Sequence, residues 1–182
     1  MSRIKIAPND SGTGIFTIES PNSNTNRTIT LPDNAGNFLT TGSAGAVVQV
    51  VNATYNTQAS STSTSYADTG LTASITPSSA SNKVLVLFSQ AGCHKAGGNT
   101  HGRLKLLRGS SDLYEPDNYY GWTNDTGNAG VATISGCYLD SPSSSSSVTY
   151  KTQFNNGDGA GTTYVQILSG TSTITLLEVV AW

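Results

Sequence analysis

Two histidines and two cysteines are the side chains of this sequence best suited to metal binding or nucleophilic chemistry. Cys93 and His94 precede a glycine-rich loop, and His101 follows it. Imidazole binds Zn²⁺ and Ni²⁺, so a ring of three His101 side chains from three chains is a candidate metal site. The spacing contains no Cys-x-x-Cys or His-x-His pair, and two polar residues beside a loop account for it without a metal. We therefore predict no metal and no cofactor, with His101 as the one weak candidate ligand.

Nucleophilic and hydrolytic chemistry finds less support. Adjacent residues on a strand point to opposite faces, so Cys93 and His94 cannot readily form the hydrogen bond of a nucleophile pair. The acidic residues between 112 and 125 share one polar segment, whereas acid–base catalysis needs carboxylates that flank a cleft on rigid elements. Asp158 lies between two glycines and fits turn chemistry better than a calcium site. The sequence predicts that the chain is not an enzyme.

Segment 111–125 is the best candidate for recognising a ligand. Flat aromatic faces stack on the C–H surfaces of sugar rings, while carboxylates and amides bind the hydroxyls. We predict a long loop here, which is where binding residues concentrate. The candidate contacts to a receptor glycan are Tyr114, Asp117, Tyr119, Tyr120 and Trp122. The alternative is that Tyr114, Tyr119 and Trp122 fold inward and plug the end of the domain.

The elements that must position these residues are β-strands. Apolar residues recur at every second position, and no window carries them at helical spacing. Eight segments predict strands, at 46–55, 71–76, 83–89, 103–108, 131–139, 147–154, 162–168 and from Ser172 onward. Their spacing and turn chemistry predict an all-β fold, an antiparallel β-sandwich of the jelly-roll type.

A glycine- and serine-containing hinge predicts two parts. Residues 42–45 read Gly-Ser-Ala-Gly, a composition that favours a flexible link. We predict a short, extended, β-rich N-terminal arm over residues 1–43 and the sandwich over residues 44–182.

Two predicted strands are apolar on both faces. Segment 83–89 has this character, and so does the closing segment 173–182. A strand of this kind must be covered on both sides, once inside its own sandwich and once by something else. A second copy of the chain is the simplest cover. The candidate interface residues are Leu177, Val179, Val180 and Trp182.

Composition narrows the function classes further. Only 11% of residues are charged and the net charge is −2, so nothing would neutralise a phosphate backbone. No segment approaches the roughly 20 apolar residues that cross a bilayer, and no apolar run follows the basic first residues as in a signal peptide. We predict no nucleic-acid partner, no membrane insertion and synthesis in a cytoplasm. Cys93 and Cys137 are predicted to be buried free thiols rather than a disulfide.

Two stretches resemble proteins of bacteriophage virions. Residues 12–43 contain the run Asn-Arg-Thr-Ile-Thr-Leu-Pro-Asp at 26–33, preceded by 14–21 and closed by 35–42. This sequence pattern resembles a module near the start of the distal part of phage tail fibres and related appendages. Residues 70–89 and 172–181 are similar to C-terminal domains of phage fibre-like proteins, several of which resemble the trimeric jelly roll of the tumour-necrosis-factor type.

The resemblance implies a structural virion protein made in the host cytoplasm. Its residues 1–43 would bind other virion proteins of tail or capsid, and its homotrimeric head would recognise the host surface through a glycan. The alternative is a capsid decoration, cement or head-fibre protein whose arm lies on the capsid. A jelly-roll carbohydrate-active enzyme is a third possibility, against which the absence of paired acids argues.

Overall fold

Strands with alternating burial build the part of the chain that can be described. In this computed structural model the described residues are 11–15, 17, 22, 24–26, 44–97, 99–123 and 131–181. The strands are β1 (Val47–Tyr55), β2 (Ala59–Ser61), β3 (Ala67–Ile75), β4 (Lys83–Ala96), β5 (Gly102–Arg108), β6 (Ser111–Tyr120), β7 (Ala132–Asp140), β8 (Val148–Asn156), β9 (Thr162–Val165) and β10 (Ser172–Val179). A 3₁₀ turn at Ile167–Ser169 separates β9 from β10. The predicted all-β fold is confirmed.

The chain divides into two units, Met1–Asn37 and Phe38–Trp182. In the first unit, Ile15 is almost fully exposed. Most of the predicted arm over residues 1–43 lies outside the described residues, and so does Trp182. The second unit contains all ten strands.

The second unit is a sandwich of two antiparallel sheets. The first sheet has the order β1-β10-β4-β7, and β9 and β2 extend it along the second half of β4. The second sheet has the order β3-β8-β5-β6. When β9 and β10 are counted as one interrupted strand, and β1 and β2 as another, these are the two four-stranded sheets of a jelly roll. The predicted antiparallel sandwich is thus confirmed.

Strand β4 defines the two ends of the sandwich. With 14 residues at about 3.3 Å each, it is about 45 Å long. Near its start the first and last strands lie side by side, since the backbone of Val180 exchanges hydrogen bonds with Gly45 and Ala46. We call this the proximal end. At the other end, the distal end, Gly102 pairs with both Tyr120 and Asn156.

A chain of buried polar side chains crosses the interior between the two sheets. Thr152 of β8 donates a hydrogen bond to Gln90 of β4 over 2.9 Å, and Gln90 donates to Ser172 of β10 over 3.0 Å. Thr69 of β3 bonds Thr152 over 2.6 Å. All four residues are buried. Each of these hydrogen bonds forms only when the strands lie in one relative position. The hydrogen-bonded side chains therefore fix the strand register more strictly than apolar packing alone does.

The structure corrects the sequence-based prediction for segment 111–125. Residues 111–120 form strand β6 at the edge of the second sheet, where a long loop was expected. The register between β5 and β6 shifts three times, and Pro116 lies within the strand. Bulges and proline are tolerated at a sheet edge, and both disrupt the period-two pattern by which a strand is recognised in a sequence.

Glu178 is a buried carboxylate held by neutral donors near the proximal end. Its Oε1 accepts hydrogen bonds from the backbone N–H of Ser78 (2.7 Å), the Ser78 hydroxyl (2.6 Å) and Asn82 Nδ2 (2.6 Å). Burial acts to raise the pKa of Glu178, but the donors from Ser78 and Asn82 together outweigh it and hold the pKa below its usual value. The ionised form is therefore the one that the fold stabilises.

Acid should weaken the fold through Glu178. A carboxylate whose folded pKa lies below its unfolded pKa stabilises above the unfolded value, and this contribution is lost as pH falls through the folded value. We expect the free energy of unfolding, from urea titrations, to decrease between about pH 7 and about pH 3, and Glu178→Gln to make that decrease smaller. Glu115→Gln, at an exposed site on β6, is the control. An unchanged decrease in Glu178→Gln would contradict the assignment.

Candidate functional site

The outer face of the first sheet carries a row of apolar side chains across all four strands. Val50, Leu177, Leu85 and Leu139 stand opposite one another on β1, β10, β4 and β7. Val50 is 59% and Leu139 is 41% exposed, and the other two are partly exposed. A row of this kind, uncovered across a whole sheet, is unusual for a solvated surface.

The next two rows toward the distal end are also uncharged. One consists of Asn52, Thr175, Leu87 and Cys137, and the other of Thr54, Thr173, Ser89 and Ser135. We call the first row, together with Leu87 and Cys137, the apolar face, and the other side chains of these two rows are neutral amides and hydroxyls. Toward the proximal end, the next row brings Lys83 opposite Val179.

The outer face of the second sheet is different, because it carries ion pairs. Lys151 Nζ lies 2.8 Å from Asp68 Oδ1, and Lys105 Nζ lies 2.9 Å from Asp112 Oδ1. Lys105 also lies 4.1 Å from the centre of the Tyr66 ring. Exposed pairs such as these are typical of a surface in water. The two sheets therefore present one hydrated face and one apolar face.

The structure places three of the four predicted interface residues. Leu177 and Val179 are partly exposed on β10, on the opposite side from the buried Ile174 and Leu176. Val180 is partly exposed and follows the strand. Trp182 lies outside the described residues. Sequence reasoning missed Val50 and Leu139, whose membership of the apolar face depends on strand register.

A second surface lies at the distal end, where five side chains meet. We call His101, Arg103, Tyr119, Trp122 and Asp158 the distal cluster. The Tyr119 ring stacks on His101 with centroids 3.8 Å apart, and the centroid of Trp122 lies 5.9 Å from that of Tyr119. Tyr119 is 52% and Trp122 is 45% exposed, whereas His101 is buried. The cluster is an exposed pair of aromatic rings on a buried support.

Hydrogen bonds tie the polar members of the distal cluster to one imidazole. His101 Nδ1 lies 2.9 Å from Asp158 Oδ2, and Arg103 Nε donates to His101 Nε2 over 3.3 Å. Because Nε2 accepts, the proton of the neutral ring is on Nδ1 and is donated to Asp158. Asn156 fixes the turn that carries Asp158, since its Oδ1 accepts from the N–H of Asp158 and of Gly159.

Of the five residues predicted to contact a ligand, only two lie next to each other on the surface. Tyr119 and Trp122 belong to the distal cluster. Tyr120 is a core residue, 4% exposed, whose ring covers Gly102 so closely that a Cβ there would overlap with it. Burial accordingly raises the pKa of Tyr120 well above its usual value, and the prediction that it contacts a surface ligand is corrected.

The other two predicted contacts have local structural roles. Tyr114 stacks on Tyr138 with centroids 5.9 Å apart, joining β6 of the second sheet to β7 of the first. Asp117 accepts a hydrogen bond from the backbone N–H of Tyr119 over 2.7 Å. Asp117 therefore shapes the chain just before the exposed rings, while Tyr114 closes an open edge of the sandwich.

The geometry of His101 leaves no ring nitrogen for a metal, because both nitrogens are engaged by Asp158 and Arg103. Within the described ranges, no group of three or more His, Cys, Asp and Glu side chains could hold a metal ion.

The two cysteines are free, as predicted, but only one is buried. Cys137 is exposed on the apolar face, whereas the prediction had it buried. The Cys93 thiol donates to the carbonyl of Gln90, and burial raises its pKa to about 12. A thiol held protonated in this way is a poor nucleophile.

No protein-family model matches the sequence, and no curated protein matches it. In the part of the chain that is described, no helix is long and apolar enough to cross a membrane. Function therefore has to be argued from the two surfaces described above.

Proposed function

We propose that this chain is a structural protein of a phage virion, a tail fibre or related appendage whose sandwich assembles as a homotrimer and recognises the host surface. The single observation that supports it best is the contrast between the apolar face of the first sheet and the ion-paired outer face of the second. An appendage head of this type needs one surface for self-assembly and another for contact with a target.

The lack of charge on the apolar face favours a partner of the same kind. Leu85 and Leu177 lie at its centre, flanked by Thr175 and Leu87. In a symmetric assembly each residue near the axis meets its own copies, so charges there would repel. An uncharged face avoids that repulsion. Three copies, rather than two, follow from the resemblance to trimeric phage heads.

The two ends of the sandwich suit separate roles in attachment and recognition. The first and last strands meet at the proximal end, whereas the exposed rings of Tyr119 and Trp122 lie at the distal end. We propose that residues 1–43 attach the chain to other virion proteins and that the distal end faces the host cell. The protein then acts in the virion, by binding rather than by catalysis.

A mass measurement on the intact chain in solution tests this proposal most directly. We expect a single species of three times the 18.8 kDa chain mass, maintained on dilution because an interface formed by a whole sheet face dissociates slowly. Sedimentation equilibrium or light scattering would measure it. A stable monomer would contradict the proposal.

A further inference from the structure

We propose that the distal cluster is a binding site for a neutral sugar residue, formed by Tyr119, Trp122, Asp158 and Arg103 and organised by His101. The inference deepens the proposed function, on which it rests for its biological setting, because it names the ligand class and the residues of the recognising end.

The aromatic part of the site is preorganised. One face of Tyr119 is stacked on the buried His101, which prevents the ring from collapsing onto the protein surface. Trp122 lies beside it at an interplanar angle of 36°, so the two rings form a shallow bent platform. Rigid, half-exposed aromatic rings bind the apolar face of a pyranose at low entropic cost.

The polar part of the site supplies both an acceptor and donors. Asp158 uses Oδ2 for His101, and its side chain is 46% exposed, which leaves Oδ1 to accept. Arg103 uses Nε for His101, which leaves its two Nη groups to donate. Neighbouring sugar hydroxyls act as donor and acceptor at once, and this pairing matches them.

The charges of the site favour a neutral sugar over an ionised one. Asp158 and Arg103 carry opposite charges and approach the same imidazole from its two nitrogens. An anionic sugar is repelled at close range by the Asp158 carboxylate, and a cationic sugar is repelled at close range by the Arg103 guanidinium. A sugar without charge meets neither repulsion.

His101 is a positioning residue, because it is buried and contacts the ligand-binding groups rather than the ligand. Gly157 lies so close to the imidazole that a Cβ at that position would overlap with it. The ring is thus confined between Gly157 and Tyr119 while its nitrogens hold Asp158 and Arg103. One side chain fixes the platform and both polar groups.

The test uses the intact chain and soluble methyl glycosides of glucose, galactose, mannose and N-acetylglucosamine, with methyl glucuronide and glucosamine as charged comparators. Saturation-transfer NMR reports which sugar protons contact the protein, and titration gives the affinity. We expect at least one neutral glycoside to bind in the millimolar range, as a single shallow site allows, and Trp122→Ala and Asp158→Asn each to weaken it about tenfold. Asp158→Asn retains an acceptor for His101 but replaces the free oxygen by a donor.

Matched variants separate the site from the rest of the surface. Tyr114→Ala removes an aromatic ring from the same strand, and Asp112→Asn neutralises another exposed carboxylate; both should leave the affinity unchanged. His101→Phe keeps a ring under Tyr119 but removes both hydrogen bonds. It should lower the affinity about tenfold while sugar C–H protons still receive saturation, which simple unfolding would abolish.

Three results would overturn the inference. These are no binding of any neutral glycoside by the folded protein, preferential binding of a charged comparator, or an unchanged affinity in folded Trp122→Ala. If Trp122→Ala does not fold, an unchanged affinity in folded Asp158→Asn would overturn the inference instead. An intact trimer without sugar binding would overturn this inference alone, whereas a monomer that binds the sugar would overturn only the trimeric assembly.

Discussion

Replacing Leu85 by glutamate should convert the proposed trimer into monomers. Leu85 lies in the central apolar row, with Leu177 of β10 on one side and Leu139 of β7 on the other. Its side chain projects outward, since the flanking Val84 and Val86 are buried in the core. The substitution therefore leaves the interior intact and places a charge in the middle of the apolar face.

The expected effect is large because a charge without a partner has to be desolvated in every copy. Leaving such a charge buried costs about 3–5 kcal/mol, which corresponds to a loss of about a hundredfold or more in the association constant. Light scattering at fixed protein concentration should show a fall to the 18.8 kDa mass of one chain.

Ser74→Glu is the matched control for Leu85→Glu. It introduces the same charge at an exposed position on β3, in the second sheet, where charged side chains are already present. This variant should keep the mass of the wild type. Assembly that survives Leu85→Glu, or that is lost equally in Ser74→Glu, would show that the apolar face is not the interface.

Replacing Asp140 by alanine should cause a large loss of stability of the sandwich. The Asp140 carboxylate accepts two hydrogen bonds from Arg108 Nη1, over 2.9 and 2.7 Å, and one from the Tyr150 hydroxyl over 2.7 Å. Asp140 belongs to the first sheet and its two partners belong to the second. One buried side chain thus bonds the two sheets together.

The alanine variant leaves the Tyr150 hydroxyl without its acceptor and leaves Arg108 Nη1 only the Ser141 carbonyl, 3.3 Å away. Tyr150 is fully buried, and burial together with the Asp140 carboxylate raises its pKa well above the usual value, so its hydroxyl is a donor at neutral pH. An unpaired buried hydroxyl and a partly exposed guanidinium that has lost its carboxylate together cost about 3 kcal/mol. For a domain of this size we expect the melting temperature to fall by about 10 °C.

Calorimetry at fixed protein concentration measures the Asp140→Ala effect, and Asp68→Ala is its control. Asp68 is also ion-paired, with Lys151, but its side chain is 54% exposed. Exposed pairs contribute about 1 kcal/mol or less, so the control should melt within a few degrees of the wild type. Equal losses in the two variants would refute the role of Asp140 in joining the sheets.

Strand pattern predicts much of this fold because inward and outward residues alternate in most strands. Ile174 and Leu176 are buried, while Leu177 and Val179 on the other side are partly exposed, so the two-faced character of the closing strand is visible from the sequence. The same holds for segment 83–89. The predicted C-terminal boundary of β9, Leu168, is less accurate. The strand ends at Val165, because the next residue, Gln166, has a positive φ.

Side-chain clusters that depend on register are not visible in the sequence. Tyr119 and Asp158 are distant in sequence from His101 and Arg103, and they meet them only because β5 pairs with both β6 and β8. Tyr120 looks like a surface aromatic until Gly102 is known to stand opposite it, which gives its ring space to enter the core. Single glycines of this kind become informative only once strand pairing is known.

The pairing of the first and last strands makes the sandwich suitable for fusion to other molecules. Both of its termini leave from one pole, where Gly45 and Val180 are joined by a backbone hydrogen bond. A support or a cargo can be fused to either terminus without interrupting a strand. Tyr119 and Trp122 then lie at the distal end, separated from the fused molecule by nearly the full length of β4, about 45 Å.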